Sequence, residues 1–472
     1  MTAITALGSQ SLICTLWFEV GRSSFVALGT RIRGNTGFRL VLIAFLGCFV
    51  AETFAGEERP VRNSASNTAQ EQQTQTTNEV FRPQPGVFPP FSEAHSYRGE
   101  LVFVDHANRR GSIRVEGDGM FFRNDPHPFA LLPYGMLRYR GAPADLRDVP
   151  LGTVLHVYAF LPPSPHTSVV PVLPVDNKSK DASGYRGTGI FPAENHVLLM
   201  EDELSHCLRV GKVWKLSKIE INNLKGTLVA SRVMKSSADR EAAAESMTFD
   251  AATRIWRGRE KLTVEDLVAD GVWPSAGKKS LGNEIVQLGI TWKPTPGGVF
   301  TRFHISDVWL DEAAIRRAAR IQCETHKAFI RSRWMPAWVD SVEYGRFGRA
   351  TVTATLFGGM DDALYADFKA GMSGLMNAVE DTLKHGHGAY GPAHMACKGP
   401  ITDVTQVKGE VPLGSSGIQI RFETDLIIEG IRPGRVVRVR PSQWPQVNVP
   451  REEYLHGSLE ERFPSPAIFP KY

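Results

Sequence analysis

The sequence predicts a mostly β protein, with two to three small β-barrels in tandem joined by one amphipathic helix. Three observations support this fold class. Short segments of alternating apolar and polar residues recur between turns, Gly (43) and Pro (30) are frequent, and only one long segment has helical spacing. A length of 472 residues favours two to four domains.

The composition excludes several classes of protein. The apolar fraction of 42% and the charged fraction of 22% are close to globular averages, which argues against a disordered chain or a polytopic membrane protein. The net charge of +4 is slight for this length and does not indicate a nucleic-acid partner. The five cysteines include no CxxC pair, so zinc ribbons and thioredoxin-like redox chemistry lack support.

Residues 1–56 are interpreted as a signal peptide or an N-terminal anchor. Arg31, Arg33 and Arg39 precede residues 40–51, which are all apolar or glycine, and a small-x-small ending at Ala55 follows. This is the layout of a secretory signal peptide. The expected location is therefore periplasmic, secreted or membrane-anchored on the outer side of the cytoplasmic membrane, with membrane contact at most through this N-terminal segment.

Two alternatives stay open for this segment. The apolar run could remain as an uncleaved anchor, and Cys48 distantly resembles the lipidated cysteine of a lipoprotein box although Leu46 stands where a small residue is wanted. The stretch before residue 30 is long for a signal peptide. Translation could therefore begin near Val26 or Leu28, and the start could be misassigned.

Residues 57–92 are expected to form a disordered tether. The first part is rich in Asn, Ser, Thr, Gln and Glu and has almost no large apolar residue, so it cannot bury enough surface to offset chain entropy. Residues 82–90 contain four prolines and should form a stiff, extended lead-in to the first barrel. Limited proteolysis is expected to remove the chain up to about Pro90 and then to stop.

Residues 93–165 are predicted to form the first barrel. Residues 99–105 and 112–115 alternate around a turn and make a hairpin. A strand over 136–141, a short helical turn over 145–148 and a strand over 151–158 complete the unit.

A comparable order returns twice downstream. The second barrel is predicted over residues 190–309, with a hairpin turn at Asn222 and Asn223. The third is predicted over residues 337–446, and residues 447–472 form a C-terminal tail.

Three pieces carry a family resemblance: GELVFVDHANRRGSIRV, MLRYRGAPADLRDVPLGTVLHVY and EGIRPGRVVRV. This pattern resembles the small five-stranded, OB-like barrels of exported bacterial proteins of unknown function. It covers the first barrel well and the other two in part. The resemblance implies tandem OB-like barrels and a location outside the cytoplasm, but it implies no activity.

Residues 310–336 are predicted to form the connector helix. Apolar residues recur at roughly helical spacing from Ala314 to Ile330, basic residues lie among them, and Pro336 ends the pattern. We expect the helix to pack the second barrel against the third. Attachment to an anionic membrane surface is the alternative.

No GxSxG, HExxH, GxxxxGK[ST] or GxGxxG string forms a credible catalytic or phosphate-binding motif. Paired carboxylates at Asp361 and Asp362, and at Glu452 and Glu453, are interpreted as a helix start and a solvated loop. No catalytic residue and no cofactor-binding residue is predicted.

The most concentrated chemistry lies in residues 385–397. Three imidazoles, a thioether and a thiol within 13 residues supply nitrogen and soft sulfur ligands, which copper favours and zinc partly accepts. An ordinary exposed loop is the competing interpretation of residues 385–397. A second pair, Cys323 and His326, lies one helical turn apart and could also chelate a metal, but a packed cysteine beside a surface histidine is the competing interpretation there. The candidate ligands for copper or zinc are His385, His387, His394, Met395 and Cys397.

Basic residues alternate at Arg432, Arg435, Arg438 and Arg440, with Trp444 following. We interpret them as the solvated outer face of an edge strand. The expected partner is an envelope component or an anionic polymer rather than a nucleic acid. The leading hypothesis is a non-catalytic exported binding or scaffold protein of the cell envelope; the alternatives are a copper- or zinc-binding protein and an enzyme of unrecognised type.

Overall fold

A computed structural model of the chain describes residues 81–116, 126–161, 195–235, 243–294, 301–378, 396–428, 430–447, 450 and 453. These residues form a mostly β structure with three small closed barrels, as the sequence predicts. Each barrel encloses its own apolar core. Within these ranges, no helix is both long enough and apolar enough to span a bilayer.

The first barrel has five strands, in chain order β1 (His95–Asp105), β2 (Arg110–Val115), β3 (His127–Tyr139), β5 (Val154–Phe160) and β6 (Asn195–Asp202). A short strand β4 (Ala142–Ala144) folds back on β3. The order around the barrel is β1-β2-β3-β6-β5, and β6 runs parallel to β3. The expected helical turn is a 3-10 turn at Leu146–Asp148, which Asp145 caps.

The last strand of this barrel comes from beyond its predicted end. Strand β6 pairs with both β3 and β5, so the segment that begins near residue 190 closes the first barrel rather than opening the second. The physical reason is that the facing edges of β3 and β5 carry backbone N–H and C=O groups that need hydrogen-bond partners. Strand β6 supplies partners to both edges.

The second barrel repeats this connectivity. Its strands are β7 (Lys212–Asn222), β8 (Lys225–Met234), β9 (Glu245–Phe249), β13 (Ile285–Pro294) and β14 (Thr301–Trp309). Their order is β7-β8-β9-β14-β13, and β14 is parallel to β9. The additional elements are helix α1 (Glu203–Val210), strands β10 (Arg254–Arg257), β11 (Glu260–Leu262) and β12 (Ala276–Ser280), and helix α2 (Val264–Ala269).

The third barrel has a different connectivity. Its strands are β15 (Met335–Tyr344), β16 (Ala350–Phe357), β17 (Ser373–Ala378), β18 (Cys397–Gln406), β19 (Ser415–Thr424) and β20 (Val436–Pro441), with helix α4 (Asp362–Ala366) between β16 and β17. The order is β15-β16-β19-β18-β17-β20 and every pairing is antiparallel. The third module is therefore a barrel as predicted, but it does not repeat the order of the first two.

Helix α3 (Glu312–Arg333) is the predicted connector. The Asp311 side chain accepts a hydrogen bond from the amide of Ala314 and caps its start, and Trp334, in a left-handed conformation, follows its last residue. The helix touches more than the two barrels it joins in sequence. The Gln322 amide donates to Asp148 of the first barrel over 2.9 Å, so α3 contacts all three.

The lead-in segment is packed rather than loose. Phe88 stacks edge-on against Tyr134 at a centroid distance of 5.0 Å and lies 6.4 Å from Trp338 and 6.2 Å from Phe357. It therefore fills the contact between the first and third barrels. Residues 81–92 were expected to belong to the disordered tether, but Phe81, Phe88 and Phe91 in this range pack against apolar side chains of the barrels.

Candidate functional site

The predicted metal loop is only partly within the described residues. Cys397 begins β18 and is buried in the core of the third barrel. Its thiol donates to the Leu426 carbonyl (3.1 Å) and accepts from the Ile428 amide (3.3 Å), and burial raises the pKa of the thiol. Metal binding by the remaining ligands stays a prediction. The residues outside the described ranges are His385, His387, His394 and Met395.

The second pair considered for metal binding has a different environment from the one expected. The Cys323 thiol donates to Asp361 over 2.9 Å, and burial together with this carboxylate raises its pKa to about 11. His326 is not a surface residue, because only 5% of it is exposed. Across the described ranges, no group of three or more His, Cys, Asp or Glu side chains is arranged to hold a metal ion.

The alternating arginines are only partly solvated. Strand β20 is not an edge strand, because it pairs with β15 on one side and β17 on the other. Arg438 and Arg440 are consequently buried, which corrects the prediction of a solvated face. The Arg438 Nη1 donates to the carbonyls of Arg333 and Trp334, both at 3.2 Å, at the end of α3.

The other two members of this set are more accessible: Arg432 is exposed and Arg435 is half-buried. Arg440 donates to the Trp444 carbonyl over 2.7 Å and lies over the Trp334 ring. The buried arginines thus stabilise the junction of α3 with the third barrel and form no open basic groove.

The junction between the first and second barrels centres on Glu203, a carboxylate with no exposed surface. Its oxygens accept from Arg232 (2.7 and 3.0 Å), from the Trp214 indole (3.1 Å) and from Cys207 (3.2 Å), and they lie 2.8 Å from His156. Burial alone would raise the pKa of Glu203, but the hydrogen bonds and charges of His156 and Arg232 hold it well below its usual value. Glu203 is therefore an ionised, fully paired carboxylate.

The network extends from Glu203 into both barrels. Arg232 also pairs with Glu245 of the second barrel, and Arg98 of the first barrel reaches Glu245 at 3.3 Å and Glu116 at 2.6 Å. These contacts join β1 to β8 and β9.

On the other side of Glu203, the imidazole of His156 stacks on His206 with centroids 3.8 Å apart. Glu201 pairs with Arg209 at 2.7 Å. The sequence reasoning missed this cluster. Its signal was the acidic run at residues 201–203 directly after the apolar residues 197–200.

The junction of the first barrel with α3 and the third barrel holds a cavity of about 50 Å³. Most of its lining is apolar or backbone, including Leu137, Phe329 and Phe357. Three charged side chains, Arg109, Asp145 and Arg438, and the imidazole of His326 also line it. Gly359, which is exposed, lines the cavity as well.

A second ion-pair group lies close to Arg438, one of the residues that line this cavity. Glu453 is fully buried and pairs with Arg333 and, at 3.3 Å, with Arg147. The interpretation of Glu452 and Glu453 as a solvated loop is therefore wrong for Glu453. Asp361, by contrast, caps α4 as the helix start that was predicted.

Comparisons with protein-family models, with curated proteins and with solved structures find no match. The function therefore has to be inferred from the residues of this chain alone.

Proposed function

We propose that this protein is a non-catalytic exported binding or scaffold protein of the cell envelope. One observation carries the proposal: two buried carboxylates at the barrel junctions, Glu203 and Glu453, are held in ion pairs that fix one barrel against the next. Glu203 with Arg232, and Glu453 with Arg333, connect different parts of the chain and have little or no exposed surface. A scaffold needs a fixed geometry, and such pairs specify one arrangement of the barrels.

The first two barrels are proposed to be OB-like. The resemblance in sequence pattern is supported by the strand order, in which the fifth strand lies between the third and fourth and runs parallel to the third. A short helical element precedes the fourth strand in both, at Leu146–Asp148 and Val264–Ala269. Small barrels of this outline commonly serve as binding modules.

A location outside the cytoplasm is proposed from the signal-like segment, and the state of the described cysteines does not oppose it. Cys207 and Cys397 are buried, Cys323 donates to Asp361, and the pKa of each thiol is raised by burial. The thiolate is the form that oxidants attack, so protonated thiols tolerate an oxidising compartment. The signal segment itself lies outside the described residues.

Cell fractionation of the organism that produces the protein tests the compartment, and calorimetry tests the scaffold. We expect the protein in the envelope or medium, beginning near Gly56, and a single cooperative unfolding transition for the three barrels. Full-length protein in the cytosol would contradict export. Three separate transitions would contradict a fixed arrangement of the barrels.

A further inference from the structure

The cavity at the junction of the first barrel, α3 and the third barrel is lined by a histidine that has an unmet hydrogen-bonding requirement. His326 is 5% exposed and lines the cavity, and its Nδ1 has no hydrogen-bond partner among the described residues. Leaving such an atom buried without a partner costs about 1–3 kcal/mol. A second buried histidine with unpartnered ring nitrogens, His196, does not line this cavity.

The charge lining the cavity is predominantly positive. Two guanidinium groups, Arg109 and Arg438, face one carboxylate, Asp145, and that carboxylate already pairs with Arg147 at 3.2 Å. Burial, and next the positive charge of Arg109, lower the pKa of Arg438 to about 9. Two like charges near a shared space are stabilised when an anion lies between them.

The positions of these groups are fixed by the fold. Arg109 lies in the turn between β1 and β2, and its Nη1 and Nη2 donate to the carbonyls of Pro133 and Gly135 at 2.6 and 2.8 Å. Arg438 is held by carbonyls at the end of α3, and His326 projects from α3 itself. The three groups therefore come from three separate parts of the molecule and are oriented before any ligand arrives.

The size of the cavity limits the ligand. A cavity needs a volume of roughly 10–15 Å³ to hold one buried water molecule. A cavity of about 50 Å³ therefore accommodates a group of about four or five non-hydrogen atoms. Acetate-like carboxylates and inorganic phosphate have this size, whereas a nucleotide is far too large.

We propose that this cavity binds a small oxyanion, a carboxylate or inorganic phosphate, through Arg109, Arg438 and His326. The guanidinium groups supply the opposite charge, and neutral His326 donates through Nδ1 when that nitrogen carries the proton. Because the three groups belong to different parts of the chain, the bound anion also fastens the first barrel to α3 and the third barrel. The proposal does not depend on export or on the absence of catalysis.

Titration of the full chain with sodium phosphate and with sodium acetate, each at an ionic strength matched with sodium chloride, tests the site. Calorimetric binding and the melting temperature are measured for the wild type, His326→Phe and His196→Phe. Ligand that binds only the native state raises the melting temperature by mass action. We expect saturable binding of at least one anion to the wild type and to His196→Phe, and at least a tenfold loss of affinity in His326→Phe.

The anion-free melting temperature separates a binding effect from a folding defect. His326→Phe should melt at the same temperature as the wild type or higher, because it replaces an unpartnered buried polar ring by an apolar ring of similar shape. The general stabilisation of proteins by phosphate salts is not saturable and should persist in every variant. No saturable binding to the wild type, or equal affinity in His326→Phe, would overturn the proposal.

A structure of wild-type crystals grown in phosphate gives a check that needs no variant. The anion should lie within hydrogen-bonding distance of His326 Nδ1 and of both guanidinium groups. Water alone in that position would overturn the proposal.

Discussion

The first barrel meets its two neighbours through junctions of opposite chemistry. Towards the second barrel, the contact is a closed network in which Glu203, Arg232 and Glu245 satisfy one another. Towards the third barrel, aromatic rings around Phe88 lie beside a cavity into which Arg438 and His326 face. The junction with the second barrel therefore fixes the arrangement of the barrels, whereas the junction with the third barrel contains the proposed anion site.

The difference has a physical basis. A charge that is removed from water must be matched by a partner within the protein, and Glu203, Arg232 and Glu245 each have one. At the other junction the apolar contacts are not directional, and the Nδ1 of His326 has no hydrogen-bond partner among the described residues. A ligand can therefore add little stability to the Glu203 junction and more to the junction that holds the cavity.

The largest effect is expected from breaking the network at Glu203. Glu203→Gln keeps the size of the side chain but leaves His156 without a carboxylate and Arg232 with Glu245 alone, so the free energy of unfolding should fall by about 3–5 kcal/mol. Urea denaturation at pH 7 measures it. The matched control is Glu312→Gln, which removes an exposed i,i+4 pair with Arg316 and should change stability by less than about 0.5 kcal/mol. Equal losses in the two variants would show that the network is not fully desolvated.

Acid should weaken both junctions first through their buried histidines, because burial lowers the pKa of His156 at one junction and of His326 at the other. Burial lowers the pKa of His326 to about 4, below its usual 6.5, so stability is full above pH 6.5 and declines as the pH falls towards 4. Glu203, with its pKa held well below 4.5, contributes fully above about pH 4.5 and loses that contribution only at lower pH.

The slope from one histidine is at most about 1.4 kcal/mol per pH unit. Urea denaturation between pH 7 and pH 4 should therefore show a shallower decline for His326→Phe than for the wild type. Parallel curves would mean that His326 does not stay neutral in the folded protein.

The apolar junction is tested by Phe88→Ala. Removal of this half-buried ring should lower the free energy of unfolding by about 2 kcal/mol, and the loss should not depend on salt concentration. Phe347, which is 96% exposed, provides the control, and Phe347→Ala should have almost no effect. Protease cleavage that proceeds past residue 88 in the wild type would contradict the packing of this segment.

The smallest effect concerns the approach of the first and third barrels at Gly359. This residue has φ +78°, and a Cβ there would lie 2.4 Å from the Met136 sulfur. Gly371 has a similar φ of +83° but nothing within 4 Å. Both alanine variants should be strained, and Gly359→Ala should lose about 1 kcal/mol more than Gly371→Ala in urea denaturation because Met136 must move. Equal losses would mean that Met136 gives way freely.

Local patterns predicted much of the fold. The connector helix was placed within three residues of its observed limits, because its cap and apolar spacing are local signals. The hairpin turn predicted at Asn222 and Asn223 lies at Asn223 and Leu224, both with positive φ. Such signals depend on neighbouring residues and need no knowledge of the fold.

The parts that sequence reasoning missed depend on distant residues. Whether β20 is an edge strand depends on β17, about 60 positions earlier, so alternation alone could not show that Arg438 and Arg440 are buried. In the sequence Glu453 is typical of a loop, because its partners Arg333 and Arg147 lie more than 100 positions away along the chain. The cavity likewise combines residues from at least five separate segments and has no motif of its own.

The late position of β6 affects the order of folding. Until residues 195–202 have been synthesised, β3 and β5 have no partner on their facing edges, so the first barrel cannot close on the strands that precede it. Pairing over such a distance along the chain is slow compared with the formation of a hairpin. A chain with this delay stays unfolded longer after its N-terminus emerges from the ribosome, which is the state in which a polypeptide can be threaded through a narrow translocation channel.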